Sequence, residues 1–183
     1  MKILIICGSR RKDSLTRKLT DIAYEYAKGK YKNVSYLDLG KTDVEPFRGF
    51  EETYNKHTAD AVKLVESADV FIIGSPVYDA LLSSGVKNLF EHVNYKALEK
   101  SVAGFIIKSN NAGSNQQVRG HLVALVNYFN MLSNPRPVFS VDEDFDEKGN
   151  LKNEKIKERI LNLVDSTLGL KLNAPTELLS TSS

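Results

Sequence analysis

Apolar residues along this chain fall into two rhythms. Unbroken runs of strand length occupy residues 2–7, 70–74 and 102–107, and weaker ones lie at 34–39 and 137–141. The three strong runs are almost wholly Ile, Leu, Val and Phe, as in strands covered on both faces of a parallel sheet. Between the runs the spacing lengthens to the helical period. Leu15, Leu19, Ile22, Ala23 and Tyr26 share one face of a first helix, with Asp13 or Ser14 as its cap. Ala61, Val62, Leu64 and Val65 mark a second helix, and Val86, Leu89, Phe90 and Val93 a third. Residues 118–132 are apolar on most faces, so that helix is either deeply buried or part of a subunit contact. Ile156, Ile160, Leu163, Val164 and Leu168 give an amphipathic last helix. Strands alternating with helices predict a doubly wound five-stranded parallel sheet in a three-layer α/β/α arrangement.

Such a sheet binds ligands at the carboxyl ends of its strands. That directs attention to residues 8–14, 75–85 and 108–117, all rich in Gly, Ser and Asn. The first of these turns a buried strand into a helix through Gly8-Ser9-Arg10-Arg11-Lys12-Asp13-Ser14. Glycine admits close backbone approach, serines offer hydroxyls, an arginine offers charge-assisted bonds, and the helix start adds unpaired N–H groups. These are the parts of a phosphate seat. The bland alternative is a Ser-capped turn with solvated arginines. Gly8 is the only glycine in the loop, so neither a Walker A motif nor Gly-x-Gly-x-x-Gly is present, and a terminal monophosphate suits the loop better than a pyrophosphate.

With 183 residues, 42% hydrophobic and 26% charged, one domain is expected over residues 1–169, with 170–183 a tail. The tail is either flexible or docks on a neighbouring subunit through Leu170, Leu172, Leu178 and Leu179. A net charge of +2 argues for no nucleic-acid partner, and no run is long enough to span a membrane. A single cysteine, Cys7, rules out an internal disulfide, fits a cytoplasmic protein and reads as a small buried hydrophobe. His57, His92 and His121 lack metal-ligand spacing, so no metal site is expected. Residues 42–54, with Phe47 and Phe50, read as a lid over this site, a cover for a partner's, or core filling, and residues 142–150 as an acidic hairpin or surface turn with Gly149 at its tip.

The stretch from Gly8 through Ser14 to Leu19 resembles the phosphate-loop signature of the NAD(P)H-dependent FMN reductase family, roughly Gly-Ser-x-Arg-x-x-Ser-x-Asn-x-x-Leu. Gly74-Ser75-Pro76-Val77-Tyr78-Asp79 followed by Ser84-Gly85-Val86-Lys87-Asn88 resembles the family's second segment. The resemblance implies a flavodoxin-like fold and FMN as cofactor, with Ser9, Arg11, Ser14, Leu15 and Thr16 at its phosphate. Thr16 stands where the family has Asn. It further implies Pro76, Val77, Tyr78 and Asp79 along the flavin ring and ribityl chain, and Ser109, Asn110 and Gly113 at the pyrimidine edge. Asp79 replaces the family's Asn; an ionised carboxylate cannot donate, so its side chain either points away or poises the flavin differently. For the third loop the plain structural reading is a helix capped by Ser114 or Asn115. Lys87 and Asn88 read as structural.

The implied activity is transfer of electrons from NADPH or NADH through FMN to a small acceptor: a quinone, flavin, azo compound or metal ion. A homodimer or homotetramer is the implied assembly. Two other classes rank below it. A flavodoxin-type carrier usually lacks the loop arginine and is strongly acidic. A receiver-type regulator needs an Asp where this chain has Gly74-Ser75.

Overall fold

In the computed structural model, which describes residues 1–174, the sheet runs in the order β2-β1-β3-β5 and ends on a broken fifth strand. Its members are β1 (Ile3–Cys7), β2 (Val34–Asp38), β3 (Val70–Tyr78) and β5 (Val102–Lys108), all parallel. The fifth position is filled by two pieces, β6 (Leu132–Ser133) and β7 (Val138–Ser140), both parallel to β5. Only the second piece is evident in the apolar pattern. Pro135 and Pro137 lie between the two, and a residue without an N–H cannot hold a ladder together. Asn134 bridges the break: its amide N donates to Ala103 O at 2.8 Å, and its side chain donates to Ser166 Oγ at 2.8 Å.

Side chains alternate across the sheet. Ile3, Ile5, Val70, Ile72 and Ile106 pack under α1 (Leu15–Lys30) and α6 (Glu154–Asn173). Leu4, Ile6, Phe71, Ile73, Phe105 and Ile107 form the second core. That core is covered by α2 (Lys56–Glu66), α3 (Ser84–Glu91) and α5 (Arg119–Tyr128). The apolar stretch 118–132 therefore divides: α4 (Ala112–Gln117) precedes it, α5 takes its centre, and β6 begins at its end. In α5, Leu122 and Val126 are buried while Val123 and Tyr128 remain 56% and 68% exposed, so this helix has a second apolar face. The residues assigned to a tail begin inside α6, which continues to Asn173; Leu178 and Leu179 lie outside the described residues. Residues 142–150 form a short 3-10 turn (Asp142–Asp144), then a tight loop in which Gly149 takes φ 72°. No helix among the described residues is long and apolar enough to cross a membrane.

Candidate active site at the carboxyl ends of the strands

The end of β1 is clamped from two directions. Gly8 N donates to Gly74 O at 2.7 Å, and Ser83 Oγ donates to Gly8 O at 2.7 Å. A Cβ on Gly8 would stand 2.2 Å from Val86 Cγ2 and 2.8 Å from Gly74 O, so only glycine fits. Ser83 also caps α3 and receives support from Ser75 Oγ, which accepts its backbone N–H at 3.0 Å. The first and second loops are thus one hydrogen-bonded unit.

Beyond Gly8 the chain turns around Arg17. Nη1 of Arg17 donates to Arg11 O at 3.0 Å and Lys12 O at 2.9 Å, and Nη2 reaches Ser9 O at 3.4 Å. Nε and Nη2 also hold Asp38, the last residue of β2, at 2.7 and 3.2 Å. The bidentate bond to Asp38 pushes the Arg17 pKa up. Arg10 is committed as well, donating to Val44 O at 3.0 Å. The side chains of Arg11 and Lys12 are exposed and have no partner among the described residues.

Ser14, not Asp13, caps α1, accepting the Arg17 N–H at 3.1 Å. Ser9 is buried, its carbonyl turned to Arg17. Leu15 is half-buried against the α1–α6 core, and Thr16 is buried with its methyl toward Gly74. The Thr16 methyl is therefore packed against the sheet, and its backbone amide has no acceptor within the first helical turn. Cys7 is buried, and desolvation pushes its thiol up, as expected of a packing residue.

The second segment differs from the loop that its sequence suggests. β3 continues through Ser75, Pro76 and Val77 to Tyr78, with Pro76 paired to Lys108. It then folds back antiparallel into β4 (Leu81–Leu82). The two connecting residues, Asp79 and Ala80, take φ 49° and 64°, the signs of a type I′ hairpin turn. Asn-Gly would announce such a turn; Asp-Ala does not. Tyr78 is 41% exposed, and the Asp79 side chain stands exposed at the hairpin tip.

In the third segment Ser109 is buried, and its hydroxyl spans Asn111 O at 2.7 Å and the Asn115 side chain at 2.8 Å. It shapes the loop from within. Asn110 is exposed, Gly113 lies in the first turn of α4, and the helix cap is Asn111 rather than Ser114 or Asn115. Lys108, the last residue of β5, is buried and donates to Ser109 O at 2.7 Å and Asp142 at 2.5 Å, a role that its residue type does not announce.

Beside the hairpin lies an apolar cavity of about 660 Å³, edged by Phe50, Leu81, Val86, Phe90, Leu125 and Tyr128. Phe47 is half-buried, lines the cavity and meets His92 edge-on with ring centroids 5.2 Å apart, whereas Phe50 on the same wall is 68% exposed. Asn88 pins this segment, donating to Glu45 O at 2.9 Å and accepting from Phe47 N at 3.0 Å, so its role is structural. Among the described residues no cluster of His, Cys, Asp or Glu could hold a metal ion.

Strand order and helices on both faces give this chain a flavodoxin-like α/β fold. The family model for NADPH-dependent FMN reductases matches residues 1–146, and the chain belongs to that family. An NAD(P)H-dependent FAD/FMN reductase of Geobacillus thermodenitrificans is 29% identical over 72% of this chain and 71% of its own. An FMN-dependent NADPH-azoreductase of Staphylococcus saprophyticus is 27% identical over 97% of this chain and 98% of its own. An NADH:FMN oxidoreductase in its apo form superposes with a TM-score of 0.76 at 16% identity, covering 96% of this chain and 92% of that one. The chain is thus an FMN-dependent NAD(P)H oxidoreductase, as its loops implied.

Proposed function

We propose that FMN lies across the carboxyl ends of β1, β3 and β5 with its phosphate in the 8–14 loop. Arg11, the hydroxyls of Ser9 and Ser14, and the amides of Leu15 and Thr16 hold the phosphate. One observation carries this reading: Arg17 and Arg10 are tied to protein acceptors, whereas the Arg11 guanidinium beside them is free of any partner among the described residues. The loop also fits an anion because the carbonyls of residues 9, 11 and 12 are occupied by Arg17 and so removed from the seat.

Along the ring, Pro76, Val77 and Tyr78 present the outer stretch of β3, with Tyr78 offering an aromatic surface. The Asp79 carboxylate sits at the exposed turn, so its backbone rather than its side chain serves the flavin. Asn110 and the Gly113 amide face the pyrimidine edge, and Ser109 fixes the loop that carries them. Bound FMN supplies hydride acceptance from NADPH or NADH and electron delivery to the acceptor; the chain supplies position, electrostatics and exclusion of water. The acceptor is a small molecule, a quinone, flavin, azo compound or metal ion, and the azoreductase relative supports an aromatic one. A cytoplasmic homodimer or homotetramer completes the reading. The exposed Val123 and Tyr128 of α5, beside the cavity edged by Leu81 and Phe50, provide the apolar face that a second copy would cover.

The purified protein should show flavin bands near ~370 and ~450 nm that bleach rapidly when NADPH or NADH is added without air. Arg11→Ala should weaken FMN binding by about 1.5–3 kcal/mol, the value of a charge-assisted bond. Unchanged retention would move the phosphate elsewhere.

A further inference from the structure

Arg17 uses its whole donor set inside the protein. A guanidinium carries five N–H groups. Arg17 makes five hydrogen bonds: two to Asp38 and one each to the carbonyls of Ser9, Arg11 and Lys12. Nothing is left for a ligand. Its position is also unusual by charge, since it lies in the first turn of α1, where the helix dipole disfavours a cation, and that turn contains no acidic residue. Asp38, buried at the end of β2, offsets this; it also accepts the Gly40 N–H at 2.9 Å. A Cβ on Gly40 would lie 2.3 Å from Arg17 Nη2, so the neighbouring loop is shaped around the guanidinium.

The consequence follows from peptide geometry. In a trans peptide unit the C=O of one residue and the N–H of the next point in opposite directions, and the described chain has no cis peptide bond. With the carbonyls of residues 9, 11 and 12 drawn toward Arg17, the amides of residues 10, 12 and 13 are turned the other way. We propose that Arg17 is a positioning residue for phosphate recognition: held by Asp38, it orients the loop's amides outward as a preformed anion seat without touching the anion. This rests on reading the 8–14 loop as the FMN phosphate site. Preorganisation of this kind raises affinity by lowering the cost of ordering the loop on binding.

The test compares FMN with riboflavin, which shares the ring and ribityl chain and lacks the phosphate. Each is titrated into the full-length, flavin-free protein by flavin fluorescence, for wild type, Arg17→Lys and Arg17→Met. Lysine keeps the charge beside Asp38 but cannot fork to three carbonyls. Both variants should bind FMN at least tenfold more weakly, with riboflavin affinity within twofold of wild type. Equal weakening toward both ligands would make Arg17 merely structural and overturn the proposal, as would wild-type FMN affinity in Arg17→Lys. Should Arg17→Met fail to fold, Arg17→Lys decides alone. A wild-type protein that binds FMN no better than riboflavin would instead refute the placement of the phosphate itself, a result independent of Arg17.

Discussion

Gly8→Ala is the most informative single change, because its added methyl has nowhere to go. The new Cβ would meet Val86 Cγ2 at 2.2 Å and Gly74 O at 2.8 Å. Neither flank of the residue can shift freely, since Gly8 N is bonded to Gly74 O and Gly8 O to Ser83 Oγ. Overpacking of this kind costs about 1–3 kcal/mol, and a backbone carbonyl among the clashing atoms places this case near the upper end, about 3. Val86 is fully buried, so Val86→Ala alone costs about 2–3 kcal/mol through lost burial and a cavity. In the double variant the side-chain clash disappears while the carbonyl clash persists. The two costs should therefore fall short of additive by about 1–2 kcal/mol, a coupling that a double-mutant cycle isolates. Urea unfolding of the flavin-free protein measures all four corners, with a constant slope confirming that only stability has moved. A Gly8→Ala variant within about 0.5 kcal/mol of wild type, or full additivity, would refute the packing argument. The same variant should also retain FMN poorly, because the joint between the first and second loops runs through this residue.

Three shorter predictions concern other parts of the chain. Cys7, its thiol pushed up mainly by burial, should resist thiol reagents in the native state at about pH 8 and react only on unfolding; rapid native labelling would contradict its burial. Burial opposes ionisation of Asp165, but hydrogen bonds from Lys30, Tyr26 and Tyr31 prevail and hold its carboxyl below the usual range. Its contribution is therefore full above the unfolded value of about 3.9 and lost as pH falls through the lower folded one, so stability against acid should decline less steeply in Asp165→Asn. Ala80 sits at φ 64°, where a Cβ costs roughly 1–2 kcal/mol; after the extra unfolded-state entropy of glycine, Ala80→Gly should raise the urea midpoint by up to about 1 kcal/mol of stability. A lowered midpoint would mean that the turn is not strained.

The fold was readable because its strongest signals are also its physical causes. Ile3–Cys7, residues 70–74 of β3 and Val102–Lys108 are buried on both faces, so burial writes itself into sequence as nearly unbroken apolar runs. What escaped reading depends on contacts between distant segments. The fifth strand is split by Pro135 and Pro137 and patched by Asn134 to α6, a remedy visible only once α6 is in place. The Asp79-Ala80 hairpin places an alanine at the second positive-φ position, where a glycine would have marked the turn. The contact of the Thr16 methyl with Gly74 of β3 joins α1 to a strand far away in sequence. Arg17 left one trace, a cation in a first helical turn without acidic residues, and its partner Asp38 lies a strand away. Lys108 left none, because one lysine ending an apolar strand ordinarily reads as the start of solvent.

The proposed site and some of the fold's tightest packing coincide, and that coincidence has a physical basis. A ligand seat at strand ends needs two helices to begin close to the sheet, so that their unpaired amides converge on one place. Small residues permit the approach: Gly74 lets Thr16 and Thr20 of α1 lie against β3, and Gly8 lets Val86 of α3 lie against the end of β1. Ser75 and Ser83 then satisfy the polar backbone that this crowding buries. Exposed cations alone would give a diffuse attraction, screened within a Debye length of about 10 Å. Here the cations are sorted instead. Arg17 and Arg10 bind carbonyls and hold the loop's shape, which leaves Arg11 to confer charge on a surface that is already rigid. With FMN placed as proposed, a substitution among these small residues should act on stability and on cofactor retention together, whereas one at Arg11 should act on retention alone.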